Sequence, residues 1–509
     1  MAFSGMLFND QMGKAETSPG YPDFFKDLNL DQVVDALCAG KEEYDLKPFF
    51  SIQLHDPDMV LYRQEIMRDL EEQSLFALIQ SFAGKMREVR SRLAQAGKLR
   101  VPYQKERWFL DAVAVYGDAI ERLHQDLSHT NLRSRGFLAF RVYVTAYAAT
   151  SDFKSLVAES RRIHAELAAI RYCLWIKGSQ VTVKKYENEA DYGVDVDATF
   201  AKFKIREVED YQASFSPALD MNHVEAGILV RVARLYPAIF ADLDSFCEKN
   251  VDFLNAAIVA FDREIQFYIA FLDFMARFKK AGLKFCYPRI SVDGKEIHDY
   301  QGFDAALALK LIKENSPVVC NDFYLRGRER IVVVTGPNQG GKTTFARAFG
   351  QMHYLAGIGC PVPGREAHLF LCDKLFTHFG KEEEIKDLYG KLFDDVSRIH
   401  DILDRATSRS IVLINEIFTS TTLHDAVFLS RQVMEIIKRA DLLCVWVTFI
   451  DELSHLGDQV VSMVSQIVPG NPSLRTFKIA RTPADGLSYA IAIAEKYRLT
   501  YDQLKDRLP

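Results

Sequence analysis

Ile331-Val-Val-Val-Thr335 leads without a break into Gly336-Pro-Asn-Gln-Gly-Gly-Lys-Thr-Thr344, and helix-patterned sequence follows over 345–354. An apolar strand, a turn of the form G-x-x-x-x-G-K-[ST] and a helix, in that order, are the context in which this pattern cradles phosphate. The glycines let the backbone wrap a polyphosphate closely with several N–H groups pointing inward, and the helix N-terminus adds partial positive charge. This reading assigns Gly336, Pro337, Asn338, Gln339, Gly340, Gly341, Lys342, Thr343 and Thr344 to nucleotide binding. Lys342 is placed to reach the β- and γ-phosphates and the Thr343 hydroxyl to hold Mg²⁺, so ATP with Mg²⁺ is the expected ligand. A bare glycine turn that merely starts a helix leaves the flanking strand and helix unexplained.

Downstream, Ser410-Ile-Val-Leu-Ile-Asn415-Glu416 is an apolar strand ending in two polar residues, the layout of a Walker B strand. The usual Asp-Glu pair puts one carboxylate near the Mg²⁺ shell and one beside the attacking water. Here the first position is the neutral Asn415, expected to reach Mg²⁺ through water, and Glu416 is the candidate catalytic base. Val- and Ile-rich runs at 331–335, 411–414, 442–448 and 460–468 alternate with helical stretches. That alternation predicts a mostly parallel sheet with helices on its faces. The texture changes after Gly282, and Tyr287-Pro-Arg and Asp293-Gly place a boundary near 284–300.

Upstream of that boundary the pattern is mainly helical, with apolar residues three and four apart at 33–37, 75–82 and 109–123. The stretch 261–278 is apolar on nearly every side and reads as a helix buried between helices. Cys173-Leu-Trp-Ile and the alternating residues that follow to Tyr186 read as a small hairpin inserted among helices. The first twenty or so residues are polar and read as a loose leader.

A chain of 509 residues exceeds one core, and 48% hydrophobic with 26% charged residues excludes a disordered or collagen-like chain. With 63 basic against 69 acidic residues, net charge −6, polyanion binding requires local patches. The 8 cysteines are scattered without a C-x-x-C pair, which argues against disulfides or zinc and for a reducing cytoplasm. His124, His129 and His353 lack ligand spacing, and no apolar run reaches membrane-spanning length.

Together these motifs resemble the MutS family of DNA mismatch-repair ATPases, relatives of the ABC ATPases. The loop is close to that family's T-G-P-N-M-G-G-K-S-T. Leu355-Ala-Gly-Ile-Gly-Cys-Pro-Val-Pro363, Asp373-Lys-Leu-Phe-Thr-His-Phe-Gly380 and Leu487-Ser-Tyr-Ala-Ile-Ala-Ile-Ala resemble later family segments in the same order. Asp27-Leu-Asn-Leu-Asp31 and Tyr62-Arg-Gln-Glu-Ile-Met-Arg-Asp-Leu70 are weaker likenesses to the core and lever region. The resemblance implies a multidomain chain: a leader at 1–20, a helical core/lever or clamp region at 21–290 with a β insertion near 174–205, and an α/β ABC-type P-loop ATPase domain at 291–509. It also implies a homodimer with composite sites, Asp425 crossing between subunits, and double-stranded or branched DNA as partner. No stretch before the lever region is long enough for the family's mismatch-recognition domain, so mismatch reading is not expected.

Departures from the family are specific. Asn415 replaces the Walker B Asp, Phe449 the γ-phosphate-sensing His, His378 an Arg and Val318 the adenine-stacking aromatic. The Ser-rich signature is reduced to Leu388-Tyr-Gly-Lys-Leu-Phe393. Loss of one donor at developing charge is worth about 10²–10³-fold in related contacts, so tight ATP binding with slow turnover is expected. For DNA, the basic run 85–107 supplies Lys85, Arg87, Arg90, Arg92, Lys98 and Arg100, either as a phosphate-contacting surface or as a solvated helix face paired with acidic neighbours. The rival reading is an ABC-type nucleotide switch whose helical arms grip a protein or ribonucleoprotein, which the acidic insertion (Glu187, Glu189, Asp191, Asp195, Asp197) favours.

Overall fold

A computed structural model describes residues 3, 5–8, 21–189, 199, 221–380, 390–468, 471–484 and 505. The stretch 487–494, Leu388 and Tyr389, and the acidic positions Asp191, Asp195 and Asp197 lie outside the described residues. The chain forms two compact units, each discontinuous in sequence: one of Met1–Phe3, Glu72–Leu132 and Leu138–Asp262, the other of Ser4–Glu71, Arg133–Phe137 and Arg263–Pro509. The change of texture at 284–300 predicts a linear division instead.

The first unit is built on long helices. In Gln73–Ala96 the buried residues Leu75, Ile79, Phe82, Met86 and Val89 recur at alternating spacings of four and three, one apolar seam along the helix. Pro102–His129 answers with Val113, Tyr116, Ile120, Leu123 and Leu127, and the two helices pack along their length. Tyr172–Lys177 and Gln180–Lys185 form an antiparallel hairpin whose turn uses Gly178 at φ 59°. No described helix is long and apolar enough to cross a membrane.

The second unit is organised by a six-stranded sheet in the order Leu375–Phe379, Ile411–Asn415, Leu443–Val447, Ile331–Thr335, Val460–Val468, Asn471–Ala480. The first five strands are parallel and the last is antiparallel to its neighbour. Ile331–Thr335 and Leu443–Val447 are buried at every position because helices cover both faces, hence their unbroken apolar runs. The phosphate loop leaves the carboxyl end of Ile331–Thr335, the side of an open α/β sheet on which ligands sit. A smaller sheet joins Arg289–Ser291, Glu366–Phe370, Ile297–Gly302 and Asn321–Leu325.

Helix Pro57–Leu70 starts on an N-cap Asp56 with proline at its first position. Phe267, Tyr268, Phe271, Phe274 and Phe278 of helix Ala256–Lys280 are fully buried, as the all-round apolar pattern predicts. The expected loose leader is overturned at residues 5–8, where Met6 and Leu7 are fully buried. The reason is polar. Glu264 accepts from the amides of Met6 and Leu7, Tyr62 donates to Gly5 O, Arg63 to Leu7 O and Tyr268 to Met6 O.

Candidate nucleotide site

The phosphate loop leaves its strand at Gly336, φ 109°, and enters helix Lys342–Gly357 through Gly341, φ 92°, with Gln339 also left-handed at φ 58°. Two glycines are required by close approach. A Cβ on Gly340 would meet Ser465 Oγ at 2.1 Å, and one on Gly336 would meet the Ser465 backbone at 3.1 Å. Ser465 Oγ donates to Gly340 O at 2.7 Å and Arg475 Nε to Asn338 O at 3.1 Å, so the last two strands brace the loop from behind. No side chain caps the amides of helix Lys342–Gly357, which leaves its N-terminal N–H groups for an anion.

Lys342 is buried, and its Nζ donates to Gly336 O at 2.8 Å and Pro337 O at 3.1 Å. The same ammonium sits 4.3 Å from the ring centroid of Phe449. Burial pushes the lysine below its ordinary value, opposed by Glu416 and Asp451 and reinforced by Arg475. Phe449 offers the lysine a π-face, and its ring offers a phosphate no donor.

Thr343 Oγ1 donates to Asn415 Oδ1 at 2.9 Å, bringing together the two side chains assigned to Mg²⁺. Glu416 follows in the left-handed region at φ 54°, its N–H donating to Val447 O at 2.9 Å. A hydroxyl and an amide oxygen at this separation suit a hard cation that keeps most of its water. Bound there, Mg²⁺ would neutralise charge on the transferring phosphate, with Thr343 and Asn415 holding it and Lys342 and the loop amides holding the phosphates.

Asp425 stands apart, exposed in the first turn of helix Leu423–Arg439. Its carboxylate accepts from Thr422 Oγ1 at 2.8 Å, which holds it below the usual carboxylate range, with burial opposing and Thr421 adding to the effect. His378 is buried in strand Leu375–Phe379. His353 is buried too, its Nδ1 2.9 Å from Phe349 O, and burial pushes it down to about 4.

The basic positions belong to the other unit and are largely engaged there. Arg90 pairs with the buried Asp262, Arg92 with Glu88 and Asp111, and Lys85 with Glu88. Arg87, Lys98 and Arg100 are exposed. Ser465, Arg475 and Asp451 escape sequence reasoning because nothing in their local pattern marks them. They reach the loop only through strand pairing and the turn after Leu443–Val447.

The family model of MutS domain V matches residues 332–502. Among similar proteins, the DNA mismatch repair protein MutS of Parabacteroides distasonis is 31% identical over 167 residues, 33% of this chain and 19% of that protein. MutS of Chlorobium phaeovibrioides is 29% identical over 190 residues, 36% of this chain and 22% of the relative. MutS of Clostridium botulinum is 26% identical over 265 residues, 50% of this chain and 27% of the relative. The chain thus matches about a fifth to a quarter of the length of these curated relatives. The matched stretch holds the phosphate loop and the strand that ends in Asn415, so over residues 332–502 the chain is similar to domain V of the MutS family.

Proposed function

We propose that the chain is a MutS-type, Mg²⁺-dependent ATP-binding protein that hydrolyses ATP slowly and acts in the cytoplasm as a nucleotide-gated homodimeric clamp on double-stranded or branched DNA during repair or recombination. The observation that carries the nucleotide part is the 2.9 Å contact of Thr343 with Asn415 beside a buried Lys342 at the mouth of the parallel sheet. In this reading the loop amides from Gly336 to Thr344 hold the phosphates and Glu416 is the base for the attacking water. Asn415 contributes no charge to the metal, and Phe449 no hydrogen bond to the γ-phosphate, so the transition state is less stabilised than binding is. Asp425 would reach across the dimer from its helix N-terminus.

Titration with Mg²⁺-ATP and a steady-state assay test the site. Lys342→Ala should weaken ATP at least tenfold, about 1.4 kcal/mol. Glu416→Ala should leave ATP bound and lower turnover by about 10²–10⁴-fold, the usual worth of a positioned base. Wild-type turnover of tens per second would overturn slow hydrolysis.

The DNA part is tested by salt-dependent gel shifts with homoduplex, mismatch and four-way junction. Lys98 and Arg100, exposed beyond the paired arginines, should carry the salt dependence. Absence of any shift at low salt would replace DNA with a protein or ribonucleoprotein partner.

A further inference from the structure

The chain bends sharply as it leaves the Walker B strand. Glu416 and Phe418 both stand in the left-handed region, at φ 54° and 61°. Side chains bearing a Cβ hold that conformation only where surrounding contacts over-determine it. One anchor is the Glu416 N–H on Val447 O. A second comes from elsewhere in the chain: the Phe418 N–H donates to Asp395 Oδ2 at 3.1 Å.

Asp395 lies on helix Lys391–Arg405 and is 4% exposed. Its other oxygen is 3.4 Å from His378 Nε2, on the strand that pairs with the Walker B strand in the register His378 to Ile414. Burial, then the nearby Arg398, push that imidazole down to about 4, so the ring is neutral at neutral pH and the contact is not an ion pair. Burial raises the Asp395 carboxyl and the Phe418 amide opposes it. An aliphatic residue would fill this place without the desolvation cost of a carboxyl. What the carboxyl adds is an acceptor at one defined point, against the amide two residues after Glu416. Ile417 and Phe418 are themselves buried, so the turn is clamped by packing below and by hydrogen bonds at both ends.

We propose that Asp395 is a positioning residue for Glu416, fixing the 416–418 turn so that the Glu416 carboxylate faces the nucleotide. This rests on the reading of Glu416 as the catalytic base. A base moved by a fraction of an ångström loses much of its effect while substrate contacts made by the loop persist.

The test measures steady-state ATP hydrolysis and amide exchange of the 411–422 region in the full chain. Asp395→Ala should lower kcat by about 10–100-fold, a part of the full worth of a base, with KM changed less than about twofold. Exchange at Phe418 should accelerate. Asp395→Asn keeps an acceptor and should hold kcat within about threefold of wild type with Phe418 still protected. Where Asp395→Ala fails to fold, Asp395→Glu takes its place, since its extra methylene displaces the acceptor. An active wild type whose kcat and Phe418 exchange are untouched by Asp395→Ala overturns the proposal alone. A loss in KM rather than kcat, or equal loss in Asp395→Asn, overturns it too. A wild type that binds but never hydrolyses ATP overturns the reading of Glu416 as base, and this role for Asp395 falls with it.

Discussion

At the scale of single residues, the site is decided by what faces Lys342. Its ammonium is satisfied by two loop carbonyls and the Phe449 ring, so it is stored in place even though it is buried. A histidine at 449 would present a donor where phosphate charge develops. Phe449→His should therefore raise kcat by about tenfold or more, within the range that one such donor commands. The comparison is made with ATP affinity measured alongside, since loss of the π-face should weaken the lysine's anchoring. A variant with unchanged kcat would mean that position 449 does not reach the transition state.

At the scale of elements, the small sheet carries a titratable group that the nucleotide site does not use. Asp299, on strand Ile297–Gly302, is fully buried, and Gly302 and Gly364 press against it so closely that a Cβ on either would collide with its carboxyl. Burial, reinforced by Asp322, pushes its carboxyl up to about 8. Its unfolded value is near 4, so between about pH 4 and 8 the folded state holds a proton that the unfolded state has lost. Stability falls as pH rises through that window, by at most about 1.4 kcal/mol per pH unit, and levels off above it. Asp299→Asn keeps the shape and removes the titration. Denaturant midpoints at pH 5 and pH 8 should differ less in this variant than in wild type, with the variant ahead at pH 8. Equal slopes in both proteins would refute it.

At the scale of the whole molecule, the second unit closes over its own N-terminal segment. Arg63 is fully buried, donating to Leu7 O and, through its other nitrogen, to Ile358 O just past the end of the phosphate-loop helix. Glu264 is half-buried against the amides of Met6 and Leu7, and its desolvation raises its carboxyl above the usual range. Residues 5–8 thus give a buried cation one of its acceptors and a half-buried acid two of its donors. Removing residues 1–8 should cost about 3–5 kcal/mol, the scale of a buried charge stripped of its partner, read as a fall in denaturant midpoint. A truncated chain of unchanged midpoint would show that the two charges find water instead.

Much of this was legible in the one-dimensional pattern. The strand–loop–helix order around Gly336, the Asn415-Glu416 strand end and the alternation of buried runs with helices each depend on neighbours in sequence. Backbone propensity and burial periodicity write such features locally. Tertiary structure alone decided that Ser465 forbids a side chain at Gly340, that Phe449 rather than solvent covers Lys342, that Asp395 grips the turn after Glu416, and that residues 5–8 are core. Each of those is a pairing between segments distant along the chain. Periodicity says which face of a strand or helix is buried and carries no information about which distant side chain meets it, because sheet order and register choose the partner.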